Sequence, residues 1–266
     1  MRPPSRRLRA GFPAPGSSPL LLAIETAGSG CSAAILRGSE TLALECRALR
    51  HGHAEVLMPM VDRVARAAGI EPGELELVAA ATGPGGFTGI RAGLAAAQGI
   101  ALAAGARLVG VTSFAAVAAA ARARSPGCQT VGHGGARALL VALDSRRADL
   151  YIQLFSEDCA TPLAEPAAIL PDRLAPYVAG LTGGASLVIA GDRAELAAAT
   201  LGRDRPVGII PDSAPDALGV AAAAIFGLDA GASPGVAANA PVRPLYLRPP
   251  DVTLPKGRNS GSAVAP

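Results

Sequence analysis

Only one lysine, Lys256, stands against 23 arginines, while 59 of the 266 residues are alanine. That skew is the mark of codon bias in a G+C-rich genome, so alanine richness carries no functional meaning here. Four cysteines (Cys31, Cys46, Cys128 and Cys159) show no C-x-x-C spacing, which removes the common zinc and dithiol motifs and leaves reduced, structural thiols. Of the three histidines, His51 and His53 precede a helical segment and His133 lies in a linker. No H-x-x-x-H pair exists to face one side of a helix. His53–Ala54–Glu55 copies the H-x-E of zinc deaminases, but no P-C-x-x-C follows it. These histidines read as helix-start or surface residues, and no metal site is expected. A membrane span is not expected either. The longest apolar stretch, residues 92–121, is mostly Ala and Gly and is broken by Gln98 and Arg107. Near the start, Leu20–Ile24 meets Glu25 too soon for the apolar core of a signal peptide. The expected location is the cytoplasm.

What is present describes a folded chain. Half of the residues are hydrophobic, 17% are charged and the mean hydropathy is +0.35, which excludes a disordered protein and suits one large domain or two lobes. The net charge of +3 is local. Arg2, Arg6, Arg7 and Arg9 sit in a stretch without acids, and residues 20–266 carry 20 basic against 21 acidic side chains. The body is thus near neutral and lacks the electrostatic footprint of a nucleic-acid surface. The first 19 and last 36 residues hold 12 of the 23 prolines, so disordered tails are expected over 1–19 and 251–266.

Between the tails, hydrophobic periodicity predicts strands at 20–26, 31–37 and 41–49, then a helix over 53–68. Val56, Leu57, Met60, Val61, Val64 and Ala68 share its apolar face, Pro59 should kink or restart it, and Gly69 should stop it. A strand at 75–81, a glycine-rich turn, a helix to about residue 104, a strand at 107–111 and a helix at 113–124 complete a first lobe, 20–124. After a linker at 125–135 the pattern restarts as a second lobe, 136–250. A hairpin of 138–144 and 150–156, a short strand near 164–169, a helix near 171–178, a strand at 187–190 and a helix at 215–227 follow. The last helix is expected to pack back on the first lobe. Hairpin first, then alternating helices and strands, twice over, indicates two related α/β lobes.

Three features carry chemistry. Gly83–Pro84–Gly85–Gly86–Phe87–Thr88–Gly89 lies between a strand and a helix, where backbone amides can meet phosphate. Its spacing is one residue too long for G-x-G-x-x-G, and no Lys–Ser/Thr pair follows, so a tight turn for close packing is the plainer reading. Gly89, Gly93, Ala97, Ala101 and Gly105 recur every fourth residue, a ridge that admits another backbone either within the fold or across a subunit interface. Gly inside a helix costs about 1 kcal/mol relative to Ala, which argues that the ridge serves packing. Finally, Glu25 and Thr26 end the first strand where an actin-like nucleotide fold places an acid for Mg²⁺. The matching hairpin of the second lobe, Asp144–Ser145–Arg146–Arg147–Ala148–Asp149, has arginines where close approach to phosphate needs glycine. A complete nucleotide clamp is therefore absent, and no signature pairs a Ser or Cys nucleophile with a base.

Six ordered segments resemble the bacterial TsaB (YeaZ) family: residues 22–26, His53–Ala54–Glu55 with 57–62, 83–91, 110–113, 143–147 and 244–248. Together they span 21–248. The resemblance implies an α/β, actin-like (ribonuclease H-like) two-lobed fold with mixed sheets flanked by helices. It implies a non-catalytic dimerization subunit, without a cofactor of its own, in making threonylcarbamoyladenosine beside the anticodon of tRNAs that read ANN codons. The implied partners are a TsaD-type catalytic paralogue, a TsaE-type ATPase, tRNA through the complex, and a second copy when the chain is alone. The family pairs through its first two helices, which here implicates Val56, Met60, Val64, Gly89, Gly93, Ala97 and Ala101. Its signature loop corresponds to Gly83, Pro84, Gly85, Phe87, Thr88 and Arg91. Glu25 replaces a common Asp, and Gly86 a usual Ser. The rival classes are a metal- or ATP-dependent hydrolase of glycoprotease type and a homodimeric adaptor for a protein acetyltransferase.

Overall fold

The structure is a computed structural model that describes residues 18–49, 51–124, 137–202, 207–229, 236–237 and 241–248. The linker at 125–135 and most of both expected tails lie outside the described residues. The chain opens with three strands, β1 (Leu20–Glu25), β2 (Gly30–Arg37) and β3 (Glu40–Ala48), joined as antiparallel neighbours. Helix α1 (His53–Ala68) leads through a 3₁₀ turn at Pro72–Glu74 to β4 (Leu77–Gly83). Helix α2 (Phe87–Ala104), β5 (Arg107–Thr112) and α3 (Ser113–Arg124) follow. β4 lies parallel to β1, and β5 parallel to β4.

The same order then recurs. β6 (Arg137–Asp144), β7 (Leu150–Ser156) and β8 (Ala167–Ile169) are antiparallel neighbours. After α4 (Pro171–Thr182), β9 (Ser186–Ala190) lies parallel to β6; after α5 (Ala194–Leu201), β10 (Val207–Ile209) lies parallel to β9. The first sheet reads β11-β5-β4-β1-β2-β3 and the second β10-β9-β6-β7-β8, so five strands of each share one arrangement. Helix α6 (Ala217–Asp229) returns to the first sheet, where the Ala217 amide donates to Ser32 Oγ on β2 at 2.9 Å. The two-residue β11 (Val236–Ala237) closes that sheet's edge beside β5.

Two local expectations change. Helix α1 continues through Pro59 without restarting, its buried side chains Leu57, Met60, Val61 and Val64 held in the core while Pro59 faces outward. Helix α5 and β10 were not anticipated; both are short, and their alanine-rich and glycine-bearing sequences carry little periodicity. Apolar runs fill β1 and β4 on both faces, as strands covered by helices on each side require. Between the sheets, Phe114, Val117, Ala118 and Ala121 of α3 share a core with Leu139, Val141, Leu143, Phe155 and Val188, while Ala115 and Ala116 belong to the first sheet's core. Helix α3 is thus a dry joint between the two halves. Helix α2 is apolar and 18 residues long, and its Gly89, Ile90, Gly93, Leu94, Ala97 and Ala101 are buried within the chain.

Candidate functional site

Both sheets point the ends of their leading strands at one cleft. The first contributes the loop 84–86 and the start of α2; the second contributes residues 145–147 of the β6–β7 turn (145–149). Residues 245–248 line its edge, and the start of α1 adds a wall. The resulting cleft has a volume of about 870 Å³ and is lined by His53, Phe87, Thr88, Arg146, Arg147, Tyr246 and Arg248 among others.

The narrow end decides what the cleft can hold. Gly85 sits so close to the β1–β2 turn that a Cβ would lie 2.1 Å from the Ala27 carbonyl oxygen, and the Gly86 amide donates to that same oxygen at 2.7 Å. These glycines bring two backbones together, as the packing reading of the loop requires. Gly83, with φ +99°, turns the chain out of β4 into this contact. From the opposite sheet, Arg146 at φ +61° reaches across, donates from Nη2 to the Gly28 carbonyl at 3.0 Å, and lays its guanidinium 3.0 Å from where a Gly86 Cβ would stand. Asp144 fixes the arginine's backbone by accepting from its amide at 2.8 Å. The cavity left between these turns is about 20 Å³, room for a single water.

Glu25 stands beside this gap, fully enclosed, with Oε1 accepting from the amides of Ala27 at 2.7 Å and Gly28 at 3.0 Å. Burial pushes its pKa up to about 8, with Asp216 and Asp192 adding to the rise and the two backbone hydrogen bonds opposing it. Burial also raises the Asp192 pKa; this carboxylate accepts from the Asp144 amide at 2.9 Å. Among the described residues no group of three or more His, Cys, Asp or Glu side chains is placed to hold a metal ion.

His53 starts α1, as one of the two expectations for it had it, but it is buried rather than on the surface. It is 6% exposed at the start of α1, and Nε2 has no hydrogen-bond partner among the described residues. Burial and the nearby Arg146 lower its pKa, against a hydrogen bond with the Gly30 backbone. Behind the cleft residues Phe87 and Tyr246, Arg91 lies 3.6 Å over the Phe87 ring and donates from Nε to the Tyr246 hydroxyl at 3.0 Å; the two rings are 5.1 Å apart. The signature-loop residues Gly83, Pro84, Gly85, Phe87, Thr88 and Arg91 therefore converge, with Pro84, Gly85, Phe87 and Thr88 lining the cleft itself.

The residues assigned by resemblance to a partner surface lie mostly inside. Met60, Val64, Gly89, Gly93, Ala97 and Ala101 are buried within the chain and Val56 is half-buried. The glycine ridge faces β1: a Cβ at Gly89 would stand 2.1 Å from the Thr26 carbonyl oxygen, and one at Gly93 2.1 Å from Thr26 Oγ1. The outward residues of the same two helices include Met58, Ala95, Gln98 and Leu102. Sequence reasoning missed Asp192, and it named Asp149 and Tyr246 only as members of longer segments, without their partners. The pairing of Asp149 with Arg248 at 2.9 Å and of Tyr246 with Arg91 joins distant parts of the chain, and no local pattern signals such contacts.

A family model described as "TsaD: tRNA N6-adenosine threonylcarbamoyltransferase" matches residues 47–197. A tRNA threonylcarbamoyladenosine biosynthesis protein TsaB from Escherichia coli K12 is 30% identical over 138 residues, 52% of this chain and 55% of that protein. The chain thus spans about half the length of the TsaB relatives it matches. An uncharacterized protein of Mycobacterium bovis is 31% identical over 235 residues, 87% of this chain and 92% of its own. Among solved structures, YeaZ from Pseudomonas aeruginosa superposes with a TM-score of 0.68 at 26% identity, covering 86% of this chain and all of that one.

Proposed function

The chain belongs to the TsaB (YeaZ) family and has an actin-like, two-sheet α/β fold, and from that premise we propose that it is a non-catalytic scaffold subunit in the threonylcarbamoylation of tRNA. In this reading it pairs with a TsaD-type transferase, which carries out transfer to the adenosine beside the anticodon of tRNAs reading ANN codons. A TsaE-type ATPase joins the pair, tRNA meets the complex rather than this chain alone, and the assembly works in the cytoplasm.

One observation carries the non-catalytic part. The Arg146 guanidinium, bonded to the Gly28 carbonyl, fills the gap between the two turns that would have to part around a nucleotide's phosphates. The buried Glu25 supports the same reading, since its Oε1 is already engaged by the amides of Ala27 and Gly28 in its own turn.

The test is reconstitution. Purified synthase, TsaD-type and TsaE-type proteins are combined with tRNA, and the modified nucleoside is measured by mass spectrometry with and without this chain. Product that depends on the chain is expected. Equal product in its absence would remove the scaffold reading, and a chain that hydrolyses ATP or peptide alone would restore the hydrolase one.

A further inference from the structure

Two of the joints between the sheets differ in kind. One is dry: the α3 side chains shared between the cores. The other is polar, lies at the cleft, and consists of Arg146 on Gly28 together with the segment 241–248.

That segment touches five parts of the fold in eight residues. Val242 packs on β5, where its Cγ1 lies 2.7 Å from the Cβ position of Gly110. The Leu245 amide donates to the Thr82 carbonyl of β4 at 2.8 Å. Tyr246 stacks on Phe87 and accepts from Arg91, both on α2. The chain then crosses to the second sheet, where Leu247 seats beside the α3 core and Arg248 meets Asp149 of the β6–β7 turn at 2.9 Å. Asp149 is only 2% exposed, and its backbone oxygen and Oδ1 both accept from Ser145 Oγ, so the arginine addresses the carboxylate that organises the turn. Arg146 projects from that same turn.

These contacts differ from the dry joint in how they can break. The side chains of Arg248, Tyr246 and Arg91 reach solvent, so water can replace each partner in turn. The α3 core has no such substitute. We infer that residues 241–248 form a latch: seated, the segment and Arg146 hold the two turns together, and released, they let the cleft widen about α3.

The latch is tested by hydrogen exchange on the full chain, followed by mass spectrometry. Arg248→Ala combined with Arg146→Ala is expected to speed exchange by about tenfold or more at the amides of Leu245, Gly86, Arg146 and Arg147, with β1 and α3 unchanged. Arg248→Lys keeps the charge and is expected to stay near the parent. Tyr246→Phe, which removes only the hydroxyl contact to Arg91, is expected to speed Leu245 alone. The latch is overturned if the double variant leaves those amides at the parent rate, since the contacts would then be independent decorations. It is equally overturned if exchange rises uniformly through β1 and α3, because the segment would then be part of the global core.

Discussion

Gly93 on α2 faces Thr26 at the end of β1 so closely that a Cβ there would lie 2.1 Å from Thr26 Oγ1. The same hydroxyl donates to the Gly89 carbonyl at 2.8 Å, one turn earlier on the helix. A small-residue ridge and one threonine therefore set the distance between α2 and the first sheet. Gly93→Ala is expected to destabilise the protein by about 1–3 kcal/mol in urea unfolding, the usual cost of overpacking. Adding Thr26→Ala should return part of that loss, since it removes the colliding oxygen. If the two substitutions are simply additive, the ridge is not packed on Thr26.

The buried Glu25 predicts an unusual pH dependence. Its carboxyl titrates at about 8 when folded, against an ordinary value near 4.5 when unfolded. Between these values the folded state holds a proton that the unfolded state has lost. The group's contribution is fully present below the unfolded pKa and is lost as pH rises towards 8, at up to about 1.4 kcal/mol per pH unit. Glu25→Gln keeps an oxygen for the Ala27 and Gly28 amides but cannot ionise. Urea unfolding at pH 5.5 and 8.5 should show the variant gaining on the parent at the higher pH. Parallel pH profiles would mean that Glu25 is not protonated in the fold.

What the sequence disclosed follows from the range of the forces involved. Strands β1 and β4 and helix α3 announce themselves through local apolar patterning, and α3 begins and ends at the residues expected from it. The repeat of hairpin, helix and strand was also legible, and the two sheets do share a strand order. The glycine ridge was legible as a packing device, but its direction was not. Periodicity shows that a face is small, whereas only the position of Thr26 shows what fills it. The burial of His53 was not legible for a related reason: a histidine at a helix start looks exposed until the Gly30 strand and Arg146 close over it. The latch depends on residues 99 positions apart at Asp149 and Arg248, a separation no motif reports.

The glycines of the signature loop and of α2 should separate sharply on substitution. A Cβ at Gly85 would collide with the Ala27 carbonyl, which is backbone and cannot swing aside. Gly99 is exposed in the interior of α2 with nothing within 4 Å of its Cβ position. Gly99→Ala is expected to raise stability by about 0.5–1 kcal/mol through helix propensity. Gly85→Ala should lower the melting temperature and disturb the Arg146 contact. Similar melting temperatures for both variants would contradict the close approach of the loop to β1.

The surface left for a partner on the first two helices is the one turned away from β1. The inward residues of α2 are committed to the core, so a subunit meeting this helix touches Ala95, Gln98 and Leu102, and Met58 on the neighbouring α1. Leu102 is 78% exposed and Met58 49%, apolar side chains that a partner would remove from water. Ala95→Arg places a long charged group on that face without entering the core. It is expected to leave the melting temperature of the isolated chain unchanged and to weaken binding to a TsaD-type partner by at least about tenfold, equivalent to 1.4 kcal/mol. Calorimetry of the pair with parent and variant chains measures this. An unchanged affinity would move the partner surface off these helices, and the exposed leucines of α4 and α5, Leu181 and Leu196, would become the next face to probe.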